Sequence, residues 1–156
     1  MRRKDREVKD PETVKALMNR CHCCRLGFND NGEVYIVPLN FGWEETASGF
    51  VFYFHSAKEG RKIDLIAHAP QVGFEMDADY QLKTADMACA HTASFGSIIG
   101  NGTVSMVDDE NEKKHGLSLM MCHAKGRADW DFSGKMLDAV AVFRLDVSSL
   151  SCKVHE

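Results

Sequence analysis

The stretch Phe50-Val51-Phe52-Tyr53-Phe54-His55-Ser56-Ala57-Lys58-Glu59-Gly60-Arg61-Lys62 decides how this chain is read. Its first five residues are aromatic or β-branched with no polar break, the pattern of a buried strand. Beyond Gly60, residues Ile63, Ile66 and Ala67 recur at i, i+3 and i+4, as on an amphipathic helix. Gly60-Arg61-Lys62 therefore falls where a strand hands over to a helix. The first N–H groups of a helix have no partners within it, and the macrodipole leaves that end positive. An Arg fork beside a Lys point charge adds fixed cations. Together they suit a phosphate. The competing reading of Arg61 and Lys62 is a solvated surface pair, the ordinary fate of such residues.

Working outward, Ala69-Pro70 stops the helix, and Gln71 to Met76 reads as a strand with Val72, Phe74 and Met76 on one face. Asp77 to Thr84 reads as a polar loop. Ser97 to Val107 reads as a long strand whose glycines permit a bend or a close approach. Asp108-Asp109 then caps a helix with Leu117, Met120 and Met121 inward, and Ala139 to Val147 is the last strand. Upstream, Asp10-Pro11 opens a helix that carries Val14, Leu17 and Met18 and runs to about Arg20. Cys24 to Phe28 and Glu33 to Leu39 flank the turn formers Asn29 to Gly32 as a β-hairpin, and Trp43 to Gly49 reads as a polar loop. Short strands, three helices and no βαβ rhythm predict an antiparallel barrel with helices packed outside it.

A chain of 156 residues, 44% hydrophobic, fills one core, so a single domain over 1–156 is expected. A net charge of −4 argues against nucleic acid or an acidic membrane surface as partner. The basic start Met1 to Lys4 leads into Asp5-Arg6-Glu7 rather than an apolar run, and no stretch is long enough to span a membrane, so a cytoplasmic protein is expected. The six cysteines read as thiols. Cys21-His22-Cys23-Cys24 concentrates metal-ligand types, but on a strand alternate members face opposite ways and no second pair completes a site. No metal is expected there.

Across nearly its whole length the chain resembles the FMN-binding split β-barrels of the pyridoxamine 5′-phosphate oxidase superfamily, and within them the nitroimidazole-resistance (Nim) reductase-like family. The carriers are Arg25-Leu26-Gly27, Val37-Pro38-Leu39-Asn40-Phe41-Gly42, Tyr53 to Lys62, and Ser97-Ile98-Ile99-Gly100 followed by Gly102. The resemblance implies a mainly β fold with flanking helices, a Greek-key-type split barrel. It also implies a homodimer with FMN at the subunit interface. On that basis Arg61 and Lys62 neutralise the phosphate, Ser56 bonds it or the ribityl chain, and Gly60 lets the backbone approach. Val37, Pro38, Leu39 and Asn40 read the flavin's pyrimidine edge, and Ser97 and Ile98 meet the flavin from a later strand. An ordinary edge strand is the competing reading of Val37 to Asn40.

His55 follows the apolar strand directly and is the candidate for catalysis. Nitro reduction consumes protons as well as electrons, and a histidine can deliver one or bond a substrate oxygen. A structural histidine that binds only cofactor or backbone is the alternative. Relatives often carry a basic residue before the later serine, where this chain has Phe95-Gly96-Ser97. Trp130 and Asp131 read either as a dimer contact or as ordinary packing.

The expected activity is an FMN-dependent oxidoreductase that takes electrons from a reduced nicotinamide or another donor and passes them to a small planar acceptor such as a nitroaromatic; with no dinucleotide fingerprint, NAD(P)H would visit the flavin only transiently. Oxidation of a pyridoxamine-like amine phosphate is a second enzyme reading, although no further basic pocket for a substrate phosphate is evident. A nonenzymatic flavin or haem carrier, with His55 and His22 as ligand candidates, is a third.

Overall fold

In a computed structural model, which describes residues 3–156, the first two residues of the basic start lie outside the described part. After β1 (Glu7–Val8), α1 (Pro11–Met18) begins at Asp10, whose side chain accepts from the Thr13 N–H at 2.9 Å, with proline at the first helical position. Val14, Leu17 and Met18 are buried, as their spacing predicts. β2 (Cys24–Asp30) and β3 (Glu33–Leu39) form the expected hairpin. Asn31 and Gly32 turn it with φ of 54° and 94°, the pair of positive values that a two-residue type I′ turn requires.

β4 (Gly42–Thr46) pairs with β5 (Gly49–Ser56), so the stretch expected to be a loop is an edge strand. Its Glu44-Glu45 pair hides the strand. The two carboxylates are satisfied by partners remote in sequence, Glu44 by Tyr53 and His115, and Glu45 by Lys15. α2 (Arg61–His68) lies where expected, although Leu65 and Ile66 are its buried residues and Ala67 is exposed.

β6 (Gln71–Lys83) and β7 (Thr92–Met106) extend well past the predicted strands. Their outer ends pair with each other as an exposed arm across an irregularity between Ala78 and Gln81, and Asp79 there has φ 62°. Residues 77–84 bury little beyond part of Ala78, so no hydrophobic pattern marks this pairing. α3 (Glu110–Lys125) is capped by Asp109, which accepts from the Glu112 N–H at 2.8 Å. A fourth helix, α4 (Gly134–Ala139), takes in the first residue of the expected last strand, and β8 (Ala141–His155) runs to 155 rather than 147.

The strands form one antiparallel eight-stranded sheet in the order β3-β2-β6-β7-β8-β5-β4, with β1 beside β8. Its path is open between β3 and β4, and non-sequential neighbours such as β2 with β6 and β5 with β8 give the expected Greek-key-type split barrel. The core is aromatic: Phe28, Phe41, Phe52, Phe54 and Phe143 are among its largest fully buried side chains. Each such burial contributes about 1.5–3 kcal/mol. α1 and α2 pack on this inner core through Leu17, Met18, Leu65 and Ile66. α3 lies outside, over Val51, Tyr53, Val107 and Val142.

Gly42 makes that last packing possible. A Cβ on it would stand 2.3 Å from the Met120 N and 2.4 Å from the Leu119 C, both backbone atoms of α3. At Gly102 a Cβ would stand 2.4 Å from the Asp146 O, beside an irregularity at Asn101/Gly102, which is the close approach that glycine in this strand suggests.

Candidate functional site

β5 leaves the core at His55. Phe54 is fully buried, the next side chain is exposed, and the His55 backbone still pairs with Val142 of β8. Ser56 Oγ donates to the Ala57 carbonyl at 2.7 Å. Gly60 holds φ 119°, a backbone state that side chains of L residues resist, and a Cβ on it would meet nothing within 4 Å. Its carbonyl accepts from the Ile63 and Asp64 N–H groups at 2.8 and 3.3 Å, and no side chain caps the start of α2. An open, donor-rich helix start thus stands beside two cations.

Arg61 is tied to the tip of the β2–β3 hairpin. Its Nε donates to Asp30 Oδ2 at 2.7 Å, Nη2 stands 2.7 Å from the same oxygen, and Glu33 Oε2 lies 3.5 Å from Nη2. The guanidinium centre sits 4.7 Å from the centre of the Tyr35 ring. The Asp30 carboxylate holds the Arg61 pKa above its ordinary value. Nη1 makes no hydrogen bond with the described residues and the side chain is about half exposed, so that end of the guanidinium is open to a further partner. Lys62, next along the chain, is half-buried.

The site residues expected from the sequence fall into three places. His55, Ser56, Gly60, Arg61 and Lys62 share the β5–α2 junction. Val37, Pro38, Leu39 and Asn40 lie at and just past the far end of β3, about 13 to 23 Å along the strand from Glu33 at roughly 3.3 Å per residue. Val37 and Leu39 pack inward on the core, Pro38 and Asn40 are exposed, and β3 is an end strand of the sheet, so one edge of its backbone meets no strand among the described residues. Ser97 and Ile98 lie on β7, separated from β3 by β2 and β6. The Ile98 side chain is fully buried in the core. Ser97 is half-buried, opposite Asp77 and Lys153, and Lys153 Nζ stands 4.8 Å from the Phe95 ring.

Two groups of residues carry no signal in the sequence. Asp30, Glu33 and Tyr35 surround Arg61 only because the hairpin and α2 meet in space. The second group lies under α3: Tyr53 OH reaches Glu44 and Glu112 at 3.3 Å each, Arg144 Nη1 donates to Glu112 at 2.8 Å, and His115 Nε2 meets Glu44 at 2.8 Å. Burial drives the Tyr53 phenol well above its ordinary pKa. Of the thiol cluster, Cys21 and Cys24 are buried, Cys23 is half-buried and His22 is exposed; burial pushes the Cys21 thiol up to about 12. Trp130 is held by its own chain, donating to the Arg127 carbonyl at 2.9 Å under the Arg127 guanidinium. No helix among the described residues is long and apolar enough to cross a membrane.

The family model described as pyridoxamine 5′-phosphate oxidase matches residues 10–154. No curated protein sequence matches the chain. Among solved structures, a candidate 5-nitroimidazole antibiotic resistance protein from Bacteroides thetaiotaomicron is 26% identical, with 95% of this chain and 86% of that chain covered and a TM-score of 0.81. A flavocytochrome from Azotobacter vinelandii is 23% identical over 100% of this chain and 72% of its own, with a TM-score of 0.79. An FAD and heme binding protein from Mycobacterium smegmatis is 16% identical over 97% and 74%, with a TM-score of 0.81. The latter two likenesses bear on the fold alone.

Proposed function

Because the chain belongs to the pyridoxamine 5′-phosphate oxidase family, we propose that it is an FMN-dependent oxidoreductase that passes electrons from a reduced nicotinamide to a small planar nitroaromatic acceptor. The observation that carries this reading is the β5–α2 junction, where the open end of Arg61 stands beside an uncapped helix start. The likeness to the Bacteroides protein favours a nitroimidazole-like acceptor.

The residues present fit an FMN. Arg61, Lys62 and the first N–H groups of α2 hold the phosphate, and the open space over Gly60 admits it. Ser56 bonds the phosphate or the ribityl chain. The free backbone edge of β3 from Val37 to Asn40 offers donors and acceptors to the ring system. Ser97, half-buried on a strand remote from β3 within one copy, serves the site of a second copy in a homodimer; Ile98, expected from the sequence to meet the flavin, is fully buried in its own core and makes no such contact. Bound FMN supplies reversible electron transfer; the chain supplies binding, orientation and protons. His55, exposed at the strand end, delivers a proton to the acceptor or bonds its oxygen.

The test is a purification followed by visible spectroscopy. The reading expects a yellow protein that NADH or NADPH bleaches without air and that a nitroimidazole restores; a colourless protein that takes up no added FMN contradicts it. His55→Ala is expected to keep FMN and to slow nitro reduction about a hundredfold, in the range of a lost general acid. Unchanged turnover would return His55 to a structural role.

A pyridoxamine-like substrate needs a second set of cations for its own phosphate. Arg20, Arg25 and Arg144 are already bound to carboxylates, which disfavours that reaction. A nonenzymatic flavin or haem carrier draws on the exposed His22 and His55, and a Soret band would single it out.

A further inference from the structure

The contacts around Arg61 point to a second residue at the phosphate site, an inference that rests on the FMN reading above. We propose that Asp30 is a positioning residue for Arg61: its carboxylate takes the Nε–Nη2 edge of the guanidinium and turns the Nη1–Nη2 edge toward a phosphate monoester. Two independent restraints define that orientation. The Tyr35 ring, 4.7 Å from the guanidinium centre, fixes the plane. Asp30 Oδ2, at 2.7 Å from both Nε and Nη2, fixes the rotation within it.

Asp30 is itself held. Its other oxygen accepts from Asn31 Nδ2 at 3.1 Å, its side chain is only 23% exposed, and the tight Asn31–Gly32 turn anchors its backbone. Glu33 differs. It lies 3.5 Å from Nη2 with an 82% exposed side chain, so it can swing away when an anion arrives.

A carboxylate near a phosphate site also repels the ligand, and the two effects oppose each other. The guanidinium separates the charges here, and at an exposed site water and salt damp what remains. An unrestrained arginine, by contrast, loses most of its side-chain freedom when it binds. Pre-ordering of Arg61 therefore outweighs repulsion by Asp30, and loss of the acid weakens phosphate binding rather than relieving it.

The experiment titrates FMN and riboflavin, which lacks the phosphate, into wild-type protein, Asp30→Asn, Arg61→Ala and the double variant. Asp30→Asn is expected to weaken FMN about fivefold, to leave riboflavin unchanged, and to cause no further loss once Arg61 is alanine. Tighter or unchanged FMN binding by Asp30→Asn overturns the proposal, because the acid then competes with the ligand or is idle. Equal losses for FMN and riboflavin also overturn it, since the acid then serves only the hairpin. Asp30→Glu, which keeps the charge, is expected to recover part of the FMN affinity, and a failure to recover any counts against positioning. A wild type that binds neither flavin sinks the functional reading and the role of Asp30 together. Preference of the wild type for FMN over riboflavin upholds the reading whatever Asp30→Asn does.

Discussion

Arg144, in the seam under α3, and Arg61, at the β5–α2 junction, sit in similar company: an aromatic ring, a close carboxylate and a second acid. In the seam every nitrogen is used. Arg144 Nη1 donates to Glu112 at 2.8 Å, and Nε and Nη2 both bind Asp146, with the Tyr53 ring 5.9 Å away. At the junction, Asp30 takes one edge of Arg61 and Nη1 makes no hydrogen bond with the described residues. The surroundings differ in the same direction. α3 covers the seam, where the missing side chain of Gly116 leaves room for the Tyr53 ring, whereas the space over Gly60 is open. A fully satisfied cation ties elements together; a half-satisfied one beside open donors is arranged for a ligand.

That contrast can be broken at several points. Gly42→Ala should cause the largest loss, about 3 kcal/mol, because the added methyl meets the backbone of α3 rather than a side chain that can move aside. Chemical denaturation would measure it, and a loss under about 1 kcal/mol would mean that α3 is held loosely. Arg144→Ala should cost about 2 kcal/mol of stability by leaving Glu112 and Asp146 without their common partner, with no change in FMN affinity. If FMN affinity falls instead, the division between structural and ligand-binding arginines fails.

Three helix entries are legible in the sequence. Asp10-Pro11, Gly60-Arg61 and Asp108-Asp109 are local signals, and apolar spacing identifies most of the buried residues that follow in the first two helices. Strand β5 is equally clear, since an unbroken apolar run has little else to become. The arm of β6 and β7 is not legible, because residues 77–83 are held by pairing with 92–97 and bury little apolar surface beyond part of Ala78. The same limit applies to the site. Lys62 and Arg61 stand out through their neighbours in the chain, while Asp30 meets Arg61 across 31 residues and Glu44 meets His115 across 71, contacts that only the folded arrangement creates.

A further effect is expected on pH dependence, in alkaline solution only. His123 of α3 donates to the Cys21 carbonyl at 2.7 Å, and the Cys21 thiol is fully buried in the inner core. Burial raises that thiol from 9.0 to about 12, so the unfolded chain gives up the proton first as pH rises. Stability from this group is complete below about pH 9 and declines between there and about 12, by up to about 1.4 kcal/mol per pH unit for one proton. Denaturation midpoints at successive pH values, compared with Cys21→Ala, would detect it. A Cys21→Ala protein with an identical decline would remove Cys21 as the source.

The central claim, that the open end of Arg61 grips a flavin phosphate, is tested most directly by the ratio of FMN to riboflavin affinity in wild type and Arg61→Ala. The account predicts that wild type prefers FMN and that the substitution weakens FMN by about 2 kcal/mol, roughly thirtyfold, while riboflavin binding and stability barely change. An unaltered ratio in Arg61→Ala would contradict it.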